Sequence, residues 1–129
     1  MGNSDCPFCS TGDAGQVFRN ELWFAKWDTH PVTEGHLLIV PVRHVQSYFD
    51  TTREEKLSFL EMIEKSKELL DAKFKPDGYN IGMNLGKAAG QTVMHFHLHV
   101  IPRYRDDAFN PRGGIRGVIK DRQARENRA

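Results

Sequence analysis

The sequence predicts an α+β domain, an antiparallel sheet of about five strands with one long helix packed on it. Three observations predict it. Short apolar runs rich in branched and aromatic residues alternate with polar or Gly/Pro links. A single stretch keeps helical spacing. Most links are short, which suits antiparallel neighbours. At 129 residues and 39% hydrophobic, the chain is long enough to bury one core, so residues 1–129 read as one domain, with 110–129 as a C-terminal extension or tail.

Taken in order, residues 17–27 (VFRNELWFAKW) read as a hairpin turning near Asn20-Glu21. Residues 36–42 (HLLIVPV) form a branched apolar run, a buried strand that Pro41 limits. A capping box follows, Thr52 with Glu55 or Thr51 with Glu54. Behind it Leu57, Leu60, Ile63, Ser66/Lys67 and Leu70, flanked by Phe59, Met62 and Leu69, predict a helix reaching about Phe74, broken by Pro76-Asp77-Gly78. Tyr79–Asn84 and Met94–Ile101 then read as two strands joined by the Gly-rich LGKAAGQT.

Composition excludes several classes. No run approaches the roughly 18 apolar residues of a membrane span, and the first ten residues hold no apolar signal-peptide core. Gly2 lacks the downstream Ser or Thr of a myristoylation motif, because Cys6 stands there. The expected compartment is cytoplasmic. Net charge is +1, distributed as +4 over residues 101–129 and −3 over 1–100; the terminal RQARENRA reads as a solvated tail. That balance is not the basic stripe of a nucleic-acid binder.

Cys6 and Cys9 form one Cys-Pro-Phe-Cys motif. In a reducing compartment it reads as a metal site or a redox pair, and its place in a polar N-terminal segment, away from a strand-to-helix junction, counts against redox chemistry. The richest signal is the run 94–101. On a strand, His95, His97 and His99 would share one face at steps of about 6.7 Å, with Met94, Phe96, Leu98 and Val100 turned into the core. Imidazole serves as base, nucleophile or metal ligand near neutral pH. Read alone, three such rings fit either a histidine nucleophile or a catalytic zinc set with water as nucleophile.

The seven residues His95-Phe96-His97-Leu98-His99-Val100-Ile101, preceded by Gly90-Gln91-Thr92-Val93, resemble the signature of the histidine triad (HIT) family: three histidines alternating with apolar residues, then a further apolar one. Gly35-His36-Leu-Leu-Ile-Val-Pro41, His44, Asp28 and Asn84 match the family at their proper separations, so the resemblance spans residues 6–104. It implies a nucleotide hydrolase acting at the α-phosphorus through a nucleotidyl-histidine. His97 would be the nucleophile, freed at Nε2 by a backbone carbonyl close to the third histidine. His99 would donate to phosphate oxygens, with Asn84, Gly90, Gln91 and Thr92 as further phosphate contacts. Asp28 would hold the ribose hydroxyls (read alone, it is a turn residue), and His36 would orient a triad ring.

The resemblance also implies a structural zinc on Cys6, Cys9, His44 and His95, and a homodimer. His99 stands where distant sugar-phosphate uridylyltransferases carry Gln, which implies water as acceptor. Ile101-Pro102-Arg103 looks more like the fragile-histidine-triad and bacterial dinucleoside-polyphosphate branch than the phosphoramidase branch, which has Gly-Gly-Arg there. The expected substrate is therefore a dinucleoside polyphosphate, alternatively a nucleoside phosphoramidate. A nucleotide-binding protein with little turnover is the remaining reading. Arg112-Gly113-Gly114 is a candidate cradle for a distal phosphate.

Overall fold

The computed structural model describes residues 5–10 and 15–119; Gly2 and the tail RQARENRA lie outside them. A one-turn helix α1 (Pro7–Ser10) precedes strands β1 (Gln16–Arg19), β2 (Trp23–Trp27) and β3 (Leu37–Pro41). Helix α2 (Arg53–Phe74), β4 (Gly78–Gly82) and β5 (Leu98–Arg103) follow. The strands form one antiparallel sheet in the order β1-β2-β3-β5-β4. The predicted α+β class holds. The strand carrying the histidine signature lies inside the sheet, and β3 occupies the centre.

The hairpin closes where expected. The Asn20 side chain accepts from the backbone N–H groups of Leu22 and Trp23, both at 2.9 Å, the short-range capping Asn performs in turns. Of the two capping boxes, Thr52 with Glu55 forms: Thr52 Oγ1 accepts from Glu55 N, and Glu55 accepts from Thr52 N. Glu55 is buried and also receives Arg43, which holds its carboxyl below the usual carboxylate range. Past Phe74, Lys75 adopts the left-handed conformation at φ +51° and ends the helix one residue before Pro76.

The buried stripe of α2 is Phe59, Met62, Ser66 and Leu70, whereas Leu57 and Leu60 are exposed, a correction to the predicted stripe. Aromatic packing sets the phase. Phe59 stacks on Trp23 at 4.4 Å between ring centroids and meets Phe96 edge-on, and the Trp23 indole donates to the Glu55 carbonyl. Trp23, Ala25, Leu37, Ile39, Phe96, Leu98 and Val100 share this core on the helix side of the sheet. Phe24, Leu38 and Val40 point to the opposite face, where Phe8 is the one further hydrophobic side chain packed on them among the described residues. That second face carries the site.

Two departures bear on it. The strand predicted from Met94 begins at Leu98, because β3 pairs with β5 only from Leu37 to Ile39. Beyond that point the Phe96 N–H turns to the Val45 carbonyl at 2.6 Å, and Met94 is half-buried and outside the core. Gly35, at φ +88°, has no room for a side chain: a Cβ there would lie 2.8 Å from the Phe74 ring and 3.2 Å from Pro102. This close turn feeds His36 into the sheet. No helix of the described residues is long and apolar enough to cross a membrane.

Candidate functional site

Although the backbone leaves the ladder before Leu98, Phe96, Leu98 and Val100 all enter the helix-side core and the Phe8 ring of the second face meets both His95 and His97, so the three signature histidines differ in their partners rather than in their face. His95 is fully buried, and its Nε2–H donates to the Pro41 carbonyl at 2.8 Å. Its Nδ1 faces Cys6 Sγ and Cys9 Sγ at 3.4 Å each and His44 Nδ1 at 3.0 Å, and Cys9 Sγ lies 3.2 Å from His44 Nδ1. The four ligand atoms lie within 4.8 Å of one another. A tetrahedral zinc site places such atoms about 3.3–3.8 Å apart, given bonds near 2.05 Å to nitrogen and 2.3 Å to sulfur. Two thiols and two imidazoles are a complete zinc donor set, and the Pro41 bond leaves the His95 Nδ1 lone pair facing the cluster. Burial keeps His95 neutral and pushes the Cys6 thiol up, so a thiolate in this position requires a cation beside it.

His97 and His99 remain together on the second face, with ring centroids 5.0 Å apart. His97 Nδ1–H donates to the His95 carbonyl at 3.0 Å, leaving Nε2 as a bare acceptor. The orienting carbonyl thus belongs to the first signature histidine, rather than to a position near the third.

A second chain of bonds sets His99. The Val32 N–H donates to His36 Nδ1 at 3.0 Å, so the His36 proton is on Nε2. From there it points to His99 Nδ1 at 2.9 Å, with an Asp28 carboxylate oxygen at 3.3 Å. His99 therefore accepts at Nδ1 and carries its proton on Nε2. Burial first, then the neighbouring His97 and His36, push His99 down to about 4; burial also lowers His36. His36 and His99 are therefore uncharged at pH 7, and the hydrogen bonds present an acceptor nitrogen on His97 beside a donor N–H on His99.

The remaining expected residues fall into two groups. Asp28 lies at the site, 3.9 Å from His99 Nδ1, while its other oxygen accepts the His30 N–H as the turn reading expected. Asn84 and His99 line one cleft of about 310 Å³ with His36, Asn80, Ile101 and Val118. Thr92 is exposed and does not line that cleft. Gln91 is spent inside its loop: its oxygen accepts from Gly86 N, and its amide donates to the Gln46 and Val93 carbonyls. Gly90 N–H is likewise bonded, to Lys87 O, so the glycine serves its φ of +96° rather than a free amide. Arg112 and Gly114 line a separate cleft beside Arg103, and only Ile115 and Val118 of that segment border the cleft at His99.

Two residues were not singled out as site residues. Phe8, between the two cysteines, meets the rings of His95 and His97 edge-on at 5.6 and 5.1 Å. Lys26 stands on the same sheet face. Its signal was the strand period, which pairs Lys26 with Asp28 two residues on.

The HIT domain profile matches residues 11–106. Among relatives, the bis(5'-adenosyl)-triphosphatase of Dictyostelium discoideum is 35% identical over 108 residues, covering 84% of this chain and 72% of that protein. The AP-4-A phosphorylase of Mycobacterium tuberculosis is 33% identical over 106 residues, 81% of this chain and 54% of that protein. Among solved structures, a HIT family protein from Bacillus anthracis superposes with TM-score 0.75 at 30% identity, covering 99% of each chain. A zinc-bound histidine triad family protein from Mycobacterium smegmatis does so with TM-score 0.74 at 30% identity, covering 95% of this chain and 99% of that one.

Proposed function

The chain belongs to the histidine triad (HIT) family, and from that premise we propose that it hydrolyses dinucleoside polyphosphates or related nucleotide conjugates at the α-phosphorus through a nucleotidyl-His97 intermediate. The observation that carries this is the pair of opposed tautomers: a bare Nε2 on His97 next to an N–H on His99. The lone pair of His97 Nε2 attacks phosphorus as the bond to the leaving phosphate breaks, and the positive ring is held at Nδ1–H by the His95 carbonyl. His99 Nε2–H donates to the phosphoryl oxygens as charge builds, a role whose loss typically lowers the rate about 10²–10³-fold. Water then attacks phosphorus, the P–N bond breaks, the water's second proton leaves to solvent, and a nucleoside monophosphate departs from neutral His97. Asn84 and Thr92 contact phosphate, and Asp28 takes the ribose hydroxyls. Gln91 and Gly90 shape the loop that carries Thr92.

The relatives named above act, by name, on bis-adenosyl polyphosphates, which favours a polyphosphate over a phosphoramidate substrate. Cys6, Cys9, His44 and His95 would hold a structural zinc, as their donor chemistry and spacing support. When bound, the ion supplies cross-linking between the N-terminal segment and the loop before β5. Reduced thiols in that set suit a cytoplasmic protein. The unpaired outer edge of β4, with Ile81 exposed, favours a homodimer.

The test compares diadenosine polyphosphate, adenosine phosphoramidate and an aminoacyl adenylate, with and without inorganic phosphate as acceptor. An acid-labile adduct of one nucleotidyl group on His97 by mass spectrometry is expected, and its loss together with turnover in His97→Ala. Turnover by His97→Ala within tenfold of the parent would refute the assignment.

A further inference from the structure

Lys26 is the unexplained residue of the site. It lies in the second-last position of β2 and is only 8% exposed, yet among the described residues its side chain forms no ion pair or hydrogen bond; the one side-chain partner among them is the Phe8 ring, 5.6 Å from Nζ to centroid. A lysine is rarely buried to this degree without a partner. Its nitrogen is not among buried polar atoms left unsatisfied, so the stem is buried and the ammonium reaches the open face.

That face is the one bearing the histidines. The register runs Lys26–Leu38–His99 across three adjacent strands. Asp28, two residues beyond Lys26 at roughly 6.7 Å along the strand, touches His36 and His99. Phe8 links the other side, with His97 against one part of its ring and the Lys26 ammonium over it. Lys26, Phe8, His97 and Asp28 therefore ring one patch. Asn84, two residues past the end of β4, lines the cleft at His99 from the side of β5 away from β2.

We infer that Lys26 selects the nucleobase, donating to a carbonyl oxygen on its edge and favouring a 6-oxopurine such as guanine over adenine. The inference rests on the nucleotide reading above. With phosphorus at His97 and the ribose on Asp28, phosphates run toward Asn84 and the nucleoside runs toward β2. Phe8 is then an apolar wall beside the base, and Lys26 a donor facing it that has no hydrogen-bond partner among the described residues. Guanine presents O6 and N7 as adjacent acceptors, whereas adenine presents N7 next to an amino donor that opposes the ammonium. The relatives' names specify adenosine, and the inference departs from them at the base alone.

The experiment titrates the full chain with GMP and AMP by calorimetry, alongside Lys26→Met and Lys26→Arg, each checked by circular dichroism. GMP should bind about tenfold tighter than AMP, the lower range for one charge-assisted hydrogen bond. Lys26→Met should collapse that ratio to within twofold through lost GMP affinity, and Lys26→Arg should keep it. Equal or reversed affinities in the parent would overturn the inference, even if Lys26→Met does not fold. Equal weakening of both nucleotides by Lys26→Met would also overturn it, by assigning the cation to phosphate or ribose. If neither nucleotide binds, the nucleotide reading falls together with this one, and the adduct test on His97 reports that separately.

Discussion

Replacing His36 tests the bond chain most directly. In the parent, the His36 Nε2–H at 2.9 Å holds His99 Nδ1 as an acceptor. In His36→Ala that donor is gone, and the Asp28 carboxylate stands 3.9 Å from His99 Nδ1. The favoured tautomer then reverses: nothing holds Nδ1 as an acceptor, and a proton there gains a charge-assisted bond, about 1.5–3 kcal/mol, once the Asp28 carboxylate closes from 3.9 Å into the freed space. The tautomer with Nε2–H, which donates to phosphate, drops about 10- to 100-fold in population, and the turnover rate at pH 7 should drop with it. Removing the His36 ring also relieves burial and repulsion at His99, so its pKa rises from about 4 toward the ordinary histidine value and an added titration enters the rate profile above pH 5. The Val32 N–H loses its acceptor, and a stability loss of about 1–3 kcal/mol is expected. His36→Gln, with an amide donor of similar reach, should recover most of the rate. Steady-state rates from pH 5 to 8, melting curves, and nitrogen NMR of the His99 tautomer are the readouts. A His36→Ala rate within threefold of the parent, with His99 still protonated at Nε2, would refute the chain.

Two further outcomes are expected. Stability should fall on acidification between about pH 6.5 and 4: with His99 and His36 held below their unfolded value, the unfolded chain binds more protons in that window, which costs at most about 3 kcal/mol for His99; urea midpoints unchanged from pH 7 to pH 4 would contradict it. Cys6→Ser with Cys9→Ser should remove zinc measured by elemental analysis and lower the melting temperature by several degrees, and undiminished zinc content would assign the metal elsewhere.

The fold was legible where a local rule and a tertiary need agree. Thr52 and Glu55 announce the helix start because the capping box is closed by the two residues themselves. Asn20 announces the hairpin for the same reason. The helix phase was not, since Leu57 and Phe59 satisfy the same periodicity and only stacking with Trp23 decides between them. In the site, alternation puts Phe96, Leu98 and Val100 in the core and the histidines opposite them, whereas the end of the ladder at the Ile39–Leu98 pair is a distant event that no residue near His95 records. The family resemblance groups His95 with Cys6, Cys9 and His44, and its ring does lie against those three side chains. The spent side chain of Gln91 depends on the Gln46 carbonyl, 45 residues away, and the exposure of Lys26 to the site depends on Phe8 folding over the sheet.

His95 joins the two halves of the site through different atoms of one residue. Its imidazole belongs to the cysteine cluster, while its main-chain oxygen aims the His97 ring. A main-chain oxygen is common to every amino acid, so the aim of that ring survives any replacement at position 95 that preserves the local bend. Mutational scanning of the side chain would therefore report on anchoring of the amino-terminal segment, and would pass over the contact that sets the neighbouring ring.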